Sequence, residues 1–235
     1  KHDGTIDIEH IRKAIRDDDI HEPITSLIAI ENTHNACGGK ILPISYLNDL
    51  QTLAKQHNLP VHLDGARLWN ALEEYMHSAS KVASYVDSLS VCLSKGLGAP
   101  RGSLLVGNEM FINKARRIRK VLGGGMRQTG FIASAGLIAF DDFKSGILKQ
   151  DHINAKKIAN CIIESSHFSL SSTIQTNIIF FKKNSYSYSD KEVCDFFKKF
   201  NIFISLWDEN LFRIVVHRDI SKIQVDHVIE IFNKL

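Results

Sequence analysis

The chain has 235 residues, of which 44% are apolar, 23% charged and 9% aromatic, a make-up that disfavours a disordered, collagen-like or membrane-spanning protein. Its formal net charge of +3, with histidines neutral, is too small to argue for a nucleic-acid or anionic-membrane partner. Cys37, Cys92, Cys161 and Cys194 are scattered with no C-x-x-C pair, which disfavours a disulfide framework or structural zinc and leads us to expect a reducing, cytoplasmic setting.

The chain opens on Lys1-His2-Asp3-Gly4, which reads as a turn in mid-chain, so an upstream piece is expected. From Asp7, a candidate N-cap, Ile8, Ile11 and Ile15 fall at helical spacing, and the run Asp17-Asp18-Asp19 closes that element. Ser26 to Ile30 is a short apolar run opening into Glu31-Asn32-Thr33-His34-Asn35 and Gly38-Gly39, the pattern of a buried strand followed by a loop. A helix is predicted from Ser45 to about His57, then a strand over Val61-His62-Leu63, the turn Asp64-Gly65-Ala66-Arg67 and a helix from Leu68. Ser88 to Leu93 is the next strand and leads into Ser94-Lys95-Gly96. Strands alternating with helices favour a parallel α/β sheet, in which the loops at the carboxyl ends of the strands build the binding site. Three of those loops carry His34, Asp64 and Lys95.

Ser103 to Val106 follows Lys95 too closely for a crossover helix, so it is expected as an antiparallel edge partner of the same sheet. A helix over Asn108 to Val121, the loop Gly123-Gly124-Gly125-Met126-Arg127 and a small-residue helix from Gln128 to Phe143, suited to close packing, come next. Composition shifts after about Ser145, which predicts a large domain over residues 1–145 and a smaller one over 146–235. The smaller domain reads as helix (Asp151 to Ser165), strand (Thr176 to Phe181), helix (Asp190 to Phe200), a hairpin of strands Ile202 to Trp207 and Leu211 to His217 around Asp208-Glu209-Asn210, and a last helix from Ser221 to Leu235. Apolar runs such as Ile178 to Phe181 are far shorter than the roughly 20 residues a membrane helix needs.

A lysine that ends an apolar strand before Gly-Leu-Gly, as Lys95 does, is expected to be poorly hydrated, which favours the free amine that Schiff-base chemistry requires. The competing account is a lysine at the solvent end of a strand. Asp64 also ends a strand, where helix capping would satisfy it without any function. Together, an aspartate followed 31 residues later by a lysine matches one crossover between neighbouring strands. That pairing suits pyridoxal phosphate, whose aldehyde needs an amine and whose pyridine nitrogen needs a carboxylate. Gly96-Leu97-Gly98-Ala99-Pro100-Arg101 starts like a dinucleotide fingerprint, but Arg101 replaces the third glycine and Pro100 interrupts the turn. His34 and Cys37 lack the second pair that a metal site needs, and the basic run Lys114, Arg116, Arg117, Arg119 and Lys120 reads as a solvated helix face or subunit contact.

Four segments in order, Glu31-Asn32-Thr33-His34-Asn35, His62-Leu63-Asp64-Gly65-Ala66-Arg67, Leu93-Ser94-Lys95-Gly96-Leu97-Gly98 and Gly123-Gly124-Gly125-Met126-Arg127-Gln128, resemble the signature segments of the low-specificity L-threonine aldolases. The resemblance implies a pyridoxal 5'-phosphate enzyme of the aspartate-aminotransferase-like fold type I: a mostly parallel sheet with helices on both faces, a smaller C-terminal α/β domain with antiparallel strands, and the N-terminal part missing. It implies retro-aldol cleavage of L-threonine or L-allo-threonine to glycine and acetaldehyde, by a homodimer or homotetramer without nucleic-acid or membrane partners. Under it Lys95 is the Schiff-base lysine, Asp64 pairs the pyridinium nitrogen, Arg67 lies beside the cofactor, and Arg127 lies near the cofactor phosphate or the substrate. Arg213 resembles the arginine that clamps the substrate carboxylate, a task suited to a bidentate guanidinium, and His34 is the candidate to accept or orient the β-hydroxyl proton. A solvent-facing strand arginine and a loop histidine bonded to backbone are the competing accounts of those two. The segment that supplies the phosphate loop in relatives is expected to lie upstream of Lys1. Another pyridoxal-phosphate reaction, racemisation or β-elimination, and an inactive truncated scaffold are the alternatives.

Overall fold

The computed structural model describes residues 1–185 and 187–234. The chain divides into two compact units, one of Lys1–Cys37 with Ile41–Ser145 and one of Gly38–Lys40 with the chain from Gly146 onward.

In the first unit, helix α1 (Ile8–Ala14) starts where Asp7 accepts a hydrogen bond from the Glu9 N–H, and strand β1 (Ile28–Glu31) follows. Helix α2 (Ile44–Gln56) leads to strand β2 (Val61–Gly65), short helices α3 (Leu68–Glu74) and α4 (Ala79–Ala83), and strand β3 (Ser88–Cys92). Strand β4 (Ser103–Gly107) and helices α5 (Glu109–Val121) and α6 (Gly130–Lys144) complete it. The sheet order is β1-β2-β3-β4, with the first three strands parallel and β4 antiparallel to β3, as the short Lys95 to Ser103 connection requires.

Strand alternation sorts the sheet's side chains. Ile28, Ile30, Val61, Leu63, Leu89 and Val91 pack with Leu47, Leu50, Leu53 and Leu68 into one aliphatic core. Glu31, His62, Asp64, Ser88 and Ser90 alternate with them and so share the other face. The flank differs from the sequence expectation. Of α6, only Gly136 and Ala139 are buried, while Phe131 is 86% exposed, Leu137 and Ile138 are open to solvent, and Leu104, Leu105 and Val106 of β4 are exposed as well. Small residues in α6 permit close packing, but no described layer of this unit covers its outer side. No described helix is long and apolar enough to cross a membrane.

The second unit contains α7 (Ile147–Glu164), β5 (Phe168–Leu170), β6 (Ile178–Lys183), α8 (Asp190–Lys199), β7 (Ser205–Asp208), β8 (Leu211–Val215) and α9 (Lys222–Phe232). Its sheet is antiparallel in the order β5-β6-β8-β7. The predicted hairpin is there, with Asn210 at φ +48 in the turn, where asparagine tolerates a left-handed backbone. Strand β5 has no counterpart in the sequence reading, because three residues are too few to show a period. The last predicted helix ends earlier than expected, and Leu235 lies outside the described residues.

Aromatic packing seals this unit. Phe168, Phe181, Phe197 and Phe232 are buried with ring centroids 4.7 to 6.2 Å apart, and Phe212 stacks on Phe181 at 5.3 Å. Gly39 belongs here: its φ of +69 and a Cβ position only 2.4 Å from Thr176 Oγ1 admit no side chain, and that hydroxyl donates to the Gly39 carbonyl at 2.8 Å.

Candidate active site

The three parallel strands of the first unit end on one side of their sheet, and each delivers one of the predicted groups. On β1 and β2, Glu31 stands opposite Asp64, and on β2 and β3, Asp64 stands opposite Ser90. Lys95 follows three residues after the end of β3. The local backbone fixes each position.

Asp64 is not a helix cap. Its Oδ1 accepts the Ala66 N–H at 2.9 Å in a tight turn, and Arg67 takes the N-cap position of α3 instead. That leaves Oδ2 with no described hydrogen-bond partner and the side chain exposed. Gly65 makes the turn possible, since a Cβ there would lie 2.6 Å from the Ser90 carbonyl oxygen. Arg67 is half-buried, and its carbonyl accepts the Asn70 N–H at 3.0 Å.

Lys95 sits at the tip of a closed loop. The Leu93 carbonyl accepts from Ala99, the Lys95 carbonyl accepts from Gly98, and Leu93 donates to Gly102, with N···O distances of 2.9, 2.9 and 3.0 Å. Its ammonium makes no hydrogen bond or ion pair with a described residue. The poor hydration expected for it is not found: the side chain is exposed. A strand end supplies position, whereas desolvation needs a layer over the loop, and none of the described residues of this unit forms one.

His34 and its loop are pinned from beneath. Asn32 is fully buried and satisfied: its backbone N–H donates to the Asp64 carbonyl at 2.9 Å, its amide donates to the Tyr75 hydroxyl at 2.9 Å, and its side-chain oxygen accepts the Leu42 N–H at 3.2 Å. Tyr75 donates in turn to the Leu42 carbonyl, and burial pushes its phenol above the ordinary range. Gly4, at φ +83, lets the opening turn lie on His34, because a Cβ there would fall 2.8 Å from that of His34. Nδ1 of His34 and Oγ1 of Thr33 are buried without a partner, and Nε2 of His34 lies 3.9 Å from Oε2 of Glu31.

Trp69 ties α6 to the end of β3. Its indole N–H donates to the Cys92 carbonyl at 3.0 Å, and Phe140 and Phe143 meet its ring edge-on at 5.1 Å. Arg127 lies in the exposed loop between α5 and α6. Arg213 belongs to the second unit, on β8 between Phe180 of β6 and Ser205 of β7, with its guanidinium 5.2 Å from the Trp207 ring centre. It is half-buried rather than the free solvent-facing residue that strand position alone would suggest. The structure therefore brings His34, Asp64, Arg67 and Lys95 to the strand ends of one unit and places Arg213 in the other. Sequence reasoning gave Glu31 no role of its own; its signal was the i, i+3 spacing to His34, which becomes visible only once β1 is seen to run to Glu31.

A family profile of the beta-eliminating lyases matches residues 1–184. The chain belongs to the beta-eliminating lyase family. It is 38% identical over 237 residues to a probable low-specificity L-threonine aldolase 2 of Arabidopsis thaliana, an alignment covering 99% of this chain and 66% of that protein. It is also 38% identical over 226 residues to a low specificity L-threonine aldolase of Escherichia coli O157:H7, covering 96% of this chain and 65% of that one. A solved structure of Leishmania major threonine aldolase superposes with a TM-score of 0.80 at 18% identity, covering all of this chain and 68% of the other, so the two share a fold. That fold is the fold type I architecture of pyridoxal-phosphate enzymes. The chain spans 58% to 66% of the length of curated relatives it matches.

Proposed function

We propose that this chain forms part of a pyridoxal-phosphate-dependent aldehyde-lyase that cleaves L-threonine or L-allo-threonine to glycine and acetaldehyde. The observation that carries the reading is the juxtaposition of Asp64 and Lys95 at the ends of adjacent parallel strands, each with an uncommitted charged atom. The donor set fits the cofactor. One amine is free to hold an aldehyde carbon, one carboxylate oxygen is free to keep a pyridine nitrogen protonated, and His34 brings its Nε2 to the same strand ends. When bound, pyridoxal 5'-phosphate supplies an electron sink for the pair released as the Cα–Cβ bond breaks.

The chain's own residues do the rest. Lys95 would hold the aldehyde carbon, and Asp64 would keep the ring nitrogen in its charged form, helped by the turn that fixes Oδ1 on Ala66. Arg67 would lie beside the bound cofactor, and Arg127 would meet its phosphate or the substrate. Arg213 would bind the substrate carboxylate, its guanidinium carbon 5.2 Å from the Trp207 ring centre. His34 meets the β-hydroxyl through Nε2, since Nδ1 is buried. The first unit is the cofactor-binding domain and the second the smaller domain. The exposed apolar side of β4 and α6 supports a homo-oligomer, the four free cysteines support a reducing, cytoplasmic setting, and the proposed reaction would serve threonine breakdown and glycine supply.

Acetaldehyde release from L-threonine by the cofactor-loaded chain, beside Lys95→Ala, tests the reading. The account expects turnover in the parent and at least about a thousandfold less in the variant, the scale on which loss of a covalent nucleophile acts. Unchanged turnover in Lys95→Ala would remove Lys95 from the chemistry.

A further inference from the structure

We propose that Glu31 is a second proton-handling residue of this site, and that Glu31 and His34 together seat the β-hydroxyl of the substrate. The proposal rests on the functional reading above, because it needs a substrate with a hydroxyl at that carbon. Its basis is the gap between two atoms. Nδ1 of His34 is buried, so Nε2 is the ring nitrogen open to a ligand, and it lies 3.9 Å from Oε2 of Glu31. That is too far for a direct hydrogen bond, but an oxygen about 2.8 Å from each atom closes a triangle over the gap. The two side chains are 30% and 28% exposed, so the gap is open to a small molecule.

Both atoms are held in place. The other carboxylate oxygen of Glu31, Oε1, accepts the Asn35 N–H at 3.0 Å, and the loop between them is fixed by buried Asn32. A carboxylate facing Nε2 favours the tautomer with the proton on that nitrogen, leaving Nδ1 as a bare acceptor. A buried acceptor without a partner costs less than a buried N–H without one, so the orphaned Nδ1 agrees with this assignment. The hydroxyl then meets one donor and one acceptor: it accepts from Nε2–H and donates to Oε2.

The step balances. The O–H proton passes to Oε2 of Glu31, and the electron pair left on oxygen forms the aldehyde C=O as Cα–Cβ breaks. The pair of the broken bond stays with Cα, which takes up a proton to become glycine, and Glu31 returns its proton to water. His34 orients the hydroxyl; Glu31 receives the proton.

Glu31→Gln separates this role from a structural one. Its carbonyl oxygen can still accept the Asn35 N–H, but it turns an NH₂ toward Nε2 and takes no proton. In the cofactor-loaded chain, threonine cleavage should fall by about 100-fold or more, the range for losing a general base. Exchange of the glycine α-proton with deuterated water involves no β-hydroxyl and should stay close to the parent rate. Ring-nitrogen NMR of His34 without cofactor should show the proton on Nε2 in the parent and on Nδ1 in the variant. The proposal is overturned if both reactions fall together, if neither falls, or if the parent already carries the proton on Nδ1. A parent that cleaves no threonine brings down the functional reading and this proposal with it; a variant that cleaves as well as an active parent brings down only the Glu31 assignment.

Discussion

The two sheets of this chain are the same size and are finished in different ways. In the first, three parallel strands run out into loops that leave Lys95 and one carboxylate oxygen of Asp64 without a described partner, and the flank of β4, α5 and α6 keeps apolar side chains open. In the second, antiparallel strands close over five interlocking phenylalanines. Parallel strands put their carboxyl ends side by side, so polar groups can gather there without disturbing the core beneath. Antiparallel hairpins return the chain at each end and leave no such row; what they offer is a sealed hydrophobic layer on which a single group such as Arg213 can be mounted.

The sealed sheet should be the more sensitive to truncation. Phe181→Ala removes a fully buried ring with aromatic neighbours on several sides and should cost about 3–5 kcal/mol, read as a lower urea midpoint. Loss of no more than a surface substitution's worth of stability would mean the ring cluster is not the mainstay of that unit.

A buried carboxylate on α7 works against that unit's stability. Asp151 is 2% exposed, has a carboxylate oxygen without a partner, and is pushed up to about 7 by burial, with Arg218 pulling it down and Asp219 pushing it further up. A carboxyl whose folded value lies above its unfolded value of 3.8 costs stability as pH rises between the two, because the unfolded chain ionises first. Full ionisation in the unfolded state carries a penalty on the order of 4 kcal/mol by pH 7 and above. Asp151→Asn should therefore match the parent near pH 4 and exceed it at pH 8 by up to that amount. Equal pH dependence of the two proteins in urea unfolding would show that Asp151 ionises as an ordinary carboxylate.

Much of the fold was legible in the sequence because its elements are strongly patterned. The short apolar runs leading into Glu31, Asp64 and Ser94 mark the parallel strands, and the ten residues between Leu93 and Leu104 leave room only for an antiparallel return. Strand β5 escaped because Phe168–Leu170 is one turn of the alternation and no more. The environment of the site residues was less legible than their positions. Lys95 sits where a strand end predicts, but exposure depends on what covers the loop, and pattern carries no information on that. Asp64 met Ala66 rather than capping α3, since Arg67 starts the helix three residues on. Glu31 stood in plain view within Glu-Asn-Thr-His, yet its partner is known only once β1 is seen to end on it.

The central claim is that Lys95, of all the lysines in the chain, is the amine that meets the cofactor aldehyde. Incubation with pyridoxal 5'-phosphate, reduction with borohydride and peptide mass mapping test it directly. The account predicts a single dominant cofactor adduct on the peptide containing Ser94-Lys95-Gly96, lost in Lys95→Ala. A dominant adduct on any other lysine, or labelling spread evenly over surface lysines, would contradict it.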